Sequence, residues 1–173
     1  MRLWDHRQHG QMNQARNDQE MSLDLPNEAA TLALGRRLAT LVAPGDVVTL
    51  SGELGAGKTT LARGLILGLA ERAGLPAEEV PSPSFPILQI YELGDIVLAH
   101  LDLYRIEDES ELAELGVIDA LEGVTVIEWP DRAARLLPRN RLDIRFEWHG
   151  QGRRALVAGR LRSGQIAMLR ELR

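Results

Sequence analysis

The sequence contains no cysteine and only one lysine. The first absence excludes disulfides, thiol nucleophiles and zinc–thiolate sites, and makes a cytoplasmic home the simplest reading. Aromatic residues are scarce, 4% of the chain, and few of them interleave with basic side chains as in a base-stacking platform. No apolar run approaches the ~20 residues of a membrane span and no secretory signal is visible, so no membrane association is expected. What remains is a chain of 173 residues, 45% hydrophobic and 26% charged. Those values suit one domain of ordinary size with a core of its own.

The lone lysine, Lys58, stands inside Gly52-Glu53-Leu54-Gly55-Ala56-Gly57-Lys58-Thr59, a complete match to the phosphate-binding pattern GxxxxGK[ST]. Every other long cationic side chain is Arg. Lysine is kept where a compact ammonium must reach into a loop of backbone N–H groups, a place unsuited to a planar fork. The surroundings fit the motif. A short β-branched run, Asp46 to Ser51, precedes it, and Thr59 to Ala70 follows with helical spacing of Leu and Ala. Strand, glycine loop and helix place free N–H groups and the positive end of a helix at a phosphate. The chain therefore reads as a nucleoside triphosphate binder.

Charge is unevenly spread. Residues 131–173 carry eleven Arg against Asp131, Asp143, Glu147 and Glu171, a balance of +7 within a chain of net charge −5. A basic tail of this kind is compatible with contact to nucleic acid or an acidic partner. The alternation in Arg141-Leu142-Asp143-Ile144-Arg145-Phe146-Glu147-Trp148 fits better with a half-solvated strand whose outer face is charged.

Residues 1–20 are polar and lack periodicity, and a disordered extension over 1–21 is expected, with one domain over 22–173. His6 and His9 are then not ligand candidates. Helical spacing runs from Asn27 to Leu41 and stops at Pro44-Gly45-Asp46. Three prolines in Pro81 to Pro86 predict an extended loop. Ile87–Leu93 and Ile96–Leu103 flank Gly94-Asp95 as a hairpin. A helix is expected over Glu109–Leu121, a buried strand over Val124–Ile127, a short helix over Asp131–Leu137, and strands over about 141–149 and 154–161. The predicted class is α/β: a P-loop NTPase-like sheet with a parallel centre, antiparallel additions and helices on both faces.

Hydrolysis needs more than the loop: Mg²⁺ held by the loop hydroxyl, and an acid at the end of a neighbouring strand. Asp102 and Glu128 each end an apolar strand pattern where ligands bind in such sheets. Thr59 is assigned as a Mg²⁺ ligand and Glu128 as the second carboxylate of the metal shell, with Asp102 orienting or deprotonating the attacking water; the two acids could exchange roles. Ser84 lies where many P-loop proteins keep a hydroxyl that senses the γ-phosphate. His100 shares a strand face with Asp102, either to position water or as a hydrogen-bonded structural residue. Arg105 is either a charge stabiliser for the γ-phosphate or a salt-bridge partner of Glu107, Asp108 or Glu109. Trp129 reads as a packing anchor beside Glu128. The nearest string to a guanine-reading Asn-Lys-x-Asp loop, Asn140-Arg141-Leu142-Asp143, lacks the Lys, so ATP is the expected nucleotide.

The ordered set Gly52 to Thr60, Ser82-Pro83-Ser84-Phe85, His100-Leu101-Asp102-Leu103-Tyr104-Arg105, Glu111 to Gly116 and Ile127-Glu128-Trp129-Pro130 closely resembles the TsaE family. The resemblance runs from about Leu25 to the C-terminus. It implies a small bacterial P-loop ATPase that uses ATP and Mg²⁺ and acts with TsaB and TsaD in making N6-threonylcarbamoyladenosine at position 37 of tRNA, with the tRNA touched only indirectly. It carries Gly55, Ala56, Gly57, Lys58, Thr59 and Thr60 over as the phosphate cradle, Thr59 and Glu128 as the Mg²⁺ site, Asp102 as a neighbour of the γ-phosphate, and Trp129 as a residue beside the site. Glu28, Thr31 and Gly152 are implied to approach the nucleotide. The chain departs from the family where Glu53 replaces the usual Asp, Ser84 the usual Thr, and Pro86 a frequent second Thr. Two other readings share the motif: a small-molecule P-loop kinase, and a nonhydrolytic nucleotide-gated scaffold.

Overall fold

The computed structural model describes residues 20–76, 87–107, 112 and 122–159. The elements, in chain order, are β1 (Met21–Leu25), α1 (Glu28–Ala39), β2 (Val47–Ser51), α2 (Lys58–Arg72), β3 (Leu88–Leu93), β4 (Ile96–Asp102), β5 (Val124–Glu128), a 3-10 turn (Pro130–Ala133), β6 (Leu142–His149) and β7 (Gly152–Gly159). The seven strands form one sheet in the order β1-β7-β6-β2-β5-β4-β3. The central four, β6, β2, β5 and β4, run parallel, whereas β3, β7 and β1 are added antiparallel at the two sides. This is the expected α/β class.

α1 and α2 lie against one face of the sheet, and their backbones touch. A Cβ on Gly35 would fall 2.3 Å from the Leu61 carbonyl oxygen, and one on Gly64 would fall 2.3 Å from that of Leu32. Only hydrogen at these positions allows so close a crossing. Asn27 starts α1, its Oδ1 accepting the Ala30 N–H at 2.9 Å. Leu34 and Leu38 of α1, Leu61, Leu65, Ile66 and Leu69 of α2, and Val48, Leu50, Val126 and Ile144 of the sheet share one core. On the other face, Val47, Ala99, Leu101 and Ile127 pack with Leu103, Ile106, the helical Leu112 and Ala133.

Several sequence expectations shift. β1 was not foreseen, although Met21, Leu23 and Leu25 alternate with Ser22 and Asp24 as on a half-buried strand. It pairs with β7 from Met21↔Val157 to Leu25↔Arg153. The helix expected over Asp131–Leu137 is only the 3-10 turn Pro130–Ala133, followed by further turns. Pro138 pushes its predecessor away from helical backbone, and the segment is too short to form a stable helix alone. β7, described over Gly152–Gly159, starts at Gly152 and not at 154, because antiparallel pairing with β6 begins at His149↔Gly152, across a tight turn; its expected end at 161 lies outside the described residues. The Pro81–Pro86 loop and most of the Glu109–Leu121 helix lie outside the described residues.

Candidate functional site

Three neighbouring parallel strands deliver the functional side chains to one edge. β2 runs into the glycine loop, β5 ends at Glu128, and β4 ends at Asp102, with Leu50↔Glu128 and Asp102↔Glu128 in register. Carboxyl ends of adjacent parallel strands form the ligand-bearing crevice of an open α/β sheet. Here they border a cavity of about 190 Å³, with Gly55, Gly57, Lys58, Thr59, Asp102 and Glu128 in its wall. Leu54, Thr60, Tyr104 and Trp129 complete that wall.

Gly57 is the hinge from loop to helix. It lies at φ 111° as the N-cap of α2, a backbone state that side-chain-bearing residues rarely adopt. Without a side-chain cap, the first N–H groups of α2 remain available to an anion. Gly52 is fixed from behind, since a Cβ there would sit 2.7 Å from the Phe146 carbonyl oxygen. Ala56 is buried, and its N–H turns back to the Glu53 carbonyl at 3.2 Å.

The Lys58 ammonium is held inside the loop. Nζ donates to the Gly52 and Glu53 carbonyls at 2.9 and 2.8 Å and lies 3.8 Å from the centroid of the Trp129 ring. Burial lowers its pKa from the ordinary lysine value, while Glu128 and Asp102 pull it back up. Trp129 reaches this position through an unusual backbone, φ 58° and ψ 52°, the only non-glycine positive φ among the described residues. Its N–H donates to the Leu50 carbonyl at 3.1 Å, which ties the turn to β2. Tyr104 packs on the Trp129 ring at 5.0 Å between centroids. Trp129 was expected as a packing anchor beside the site; neither its backbone state nor its cation–π contact has a signal in residue type alone.

Glu128 is the best-held acid. It is 2% exposed, its Oε2 accepts the Thr59 hydroxyl at 3.0 Å, and its Oε1 lies 2.9 Å from His100 Nε2. His100 therefore orients Glu128 and does not face Asp102's ligand side as a free base. The Thr59–Glu128 pair fits a hard cation. Both donors are oxygens, and adjacent oxygens around an octahedral Mg²⁺ bound at about 2.0–2.1 Å stand about 2.9 Å apart. Among the described residues no three His, Asp or Glu cluster as a self-sufficient metal site. Asp102 is partly exposed, and its Oδ1 accepts the Tyr104 N–H at 3.1 Å.

The remaining candidates are placed as follows. Thr31 is fully buried in the first turn of α1, with its methyl carbon 3.4 Å from where a Gly57 Cβ would be. Glu28 opens the same helix and is exposed. Gly152 packs against Leu25 and Pro26, its Cβ position 2.7 Å from the Leu25 carbonyl oxygen, and it is the adjacent Arg153 whose side chain reaches the loop. Arg105 is exposed on the turn after β4 and is not part of the cavity wall. Ser84 lies outside the described residues.

Residues 25–156 match the profile of a family described as threonylcarbamoyl adenosine biosynthesis protein TsaE. Among curated proteins, the chain is 39% identical over 133 residues to the tRNA threonylcarbamoyladenosine biosynthesis protein TsaE of Bacillus subtilis, covering 76% of this chain and 80% of that one. It is 45% identical over 119 residues to the Streptomyces coelicolor protein of the same name, covering 66% and 76%. The crystal structure of Bacillus subtilis YdiB superposes with a TM-score of 0.68 at 29% identity, covering 88% of this chain and 93% of that one.

Proposed function

The chain belongs to the TsaE family, and from that premise we propose that it is a Mg²⁺-dependent ATPase serving tRNA threonylcarbamoyladenosine biosynthesis with TsaB and TsaD. The observation that carries the reading is the Thr59–Glu128–His100 chain beside the loop-held Lys58. In this reading the N–H groups from Gly57 to Thr60 bind the phosphates, and Lys58 leaves the Gly52 and Glu53 carbonyls to meet the β- and γ-phosphates. Thr59 and Glu128 hold the cation, which neutralises charge on the phosphate oxygens when bound. Asp102 orients the attacking water and accepts its proton. Glu28, Thr31 and Gly152 are assigned to the nucleotide's surroundings, Ser84 to γ-phosphate sensing, and residues 22–173, with Met21 added because it opens β1, to one ATPase domain working in the cytoplasm. No helix among the described residues is long and apolar enough to cross a membrane.

Among the described residues no arginine lines the cavity, which favours slow turnover by the isolated chain and acceleration when a partner completes the charge stabilisation. Replacement of Glu128 by Gln separates this reading from a nonhydrolytic scaffold. With TsaB, TsaD and tRNA present, the variant should bind ATP yet fail to support sustained tRNA modification. Full modification without ATP turnover would instead establish the scaffold.

A further inference from the structure

Among the described residues the tip of the glycine loop has little apolar packing. Leu54 is 72% exposed, and a Cβ placed on Gly55, at φ 76°, would meet no atom within 4 Å. Without support at its tip such a loop would lose affinity for phosphate, because its N–H groups would have to be ordered at each binding event. Its support comes from the end of the β6–β7 hairpin. Trp148 Nε1 donates to the Glu53 carboxylate at 3.1 Å, and Arg153 Nη2 donates to the Gly55 carbonyl at 3.2 Å. The Arg153 guanidinium lies 5.1 Å from the Trp148 ring centroid, so the two supports brace each other.

We propose that Arg153 is a positioning residue that pre-organises the phosphate-binding loop by holding the Gly55 carbonyl outward. The peptide between Gly55 and Ala56 is fixed at both ends. Its carbonyl is bound by Arg153, and its N–H by the Glu53 carbonyl at 3.2 Å. The following N–H groups, from Gly57 to Thr59, are then presented toward the cavity. The Arg153 stem also lies beside Gly57, where an added Cβ would fall 3.2 Å from its Cδ and 3.4 Å from the Thr31 methyl carbon. Arg153 Nε is itself buried with no hydrogen-bond partner among the described residues, a destabilising arrangement that needs a reason.

The inference rests on the loop being an ATP site, and its test separates the two. Binding of Mg-ADP and of magnesium pyrophosphate to the full chain is measured by calorimetry for the unsubstituted protein, Arg153→Ala and Arg153→Lys, with melting temperatures alongside. Arg153→Ala should weaken both ligands about tenfold, about 1.4 kcal/mol, because both depend on the loop, and Arg153→Lys should recover part of the loss through a single donor. Weaker ADP binding with unchanged pyrophosphate binding would overturn the proposal by assigning the guanidinium to adenosine. Unchanged affinity for both, with or without a fall in melting temperature, would overturn it by reducing Arg153 to a structural or neutral residue. Should Arg153→Ala not fold, Arg153→Gln is judged by the same criteria. Failure of the unsubstituted protein to bind either ligand would overturn the ATP-site reading itself.

Discussion

Replacing Glu128 by Gln changes charge at almost constant volume in a buried side chain. Thr59 keeps an oxygen acceptor, and the new amide N–H₂ faces His100 Nε2, which can accept when its ring proton resides on Nδ1. Each charge-assisted bond becomes a neutral one, a loss of about 1 kcal/mol apiece. Removing a buried anion relieves a desolvation cost of comparable size. Stability should therefore move by no more than about 1 kcal/mol, or about 2–4 °C in melting temperature for a domain of this size. The chemistry has no such compensation. By analogy with deletion of one preplaced electrostatic group, hydrolysis should fall by roughly 10²–10³-fold, about 2.7–4 kcal/mol. Glu128→Ala differs, because it leaves His100 unpartnered beside a new cavity and should cost about 2–4 kcal/mol of stability. Thermal unfolding and phosphate release from Mg-ATP read the two effects separately. Wild-type hydrolysis by a normally folded Glu128→Gln protein, or a Gln variant as unstable as the Ala variant, would refute this account of Glu128.

Gly35→Ala drives a methyl group into the α2 backbone at Leu61, Gly64 and Leu65; it should cost about 3 kcal/mol or more in urea unfolding. His100→Ala removes one of the two polar partners of Glu128. It should lower stability by about 1–3 kcal/mol and weaken ATP binding more with Mg²⁺ than without it, as calorimetry would show. Trp129→Ala removes the ring under Lys58 and should weaken ADP binding by about 0.5–2 kcal/mol. Trp129→Gly should be the more stable of the two by about 1 kcal/mol, because glycine adopts the left-handed backbone at this position without steric cost; an alanine variant equally stable would contradict that.

The central fold was legible because its signals are local. The glycine loop between a β-branched run and a Leu-rich helix gave β2 and α2 within two residues of their observed ends, and Gly94-Asp95 gave the β3–β4 hairpin. β1 was missed because five alternating residues beside a polar leader resemble coil until β7 supplies a partner. The short helix after Trp129 failed because the turn is governed by a left-handed Trp129 and by Pro138, which outweigh weak helical periodicity. At the site, Thr59, Asp102 and Glu128 were readable as groups at a strand or helix end, where topology alone brings them together. The Arg153 contact was not. It joins residues 98 positions apart through a side chain leaving the antiparallel half of the sheet, and nothing in its own sequence neighbourhood marks it. The adjacent Gly152 drew attention through the family resemblance, and its close contacts are with Leu25 and Pro26.

The most direct measurement is ATP hydrolysis by the purified chain, first alone and then with TsaB, TsaD and unmodified tRNA. The account predicts slow Mg²⁺-dependent turnover that rises in the assembly and falls by roughly 10²–10³-fold in Glu128→Gln. No rise despite demonstrated complex formation would contradict a partner-driven ATPase, whereas rapid turnover by the chain alone would contradict the need for a partner to complete the site.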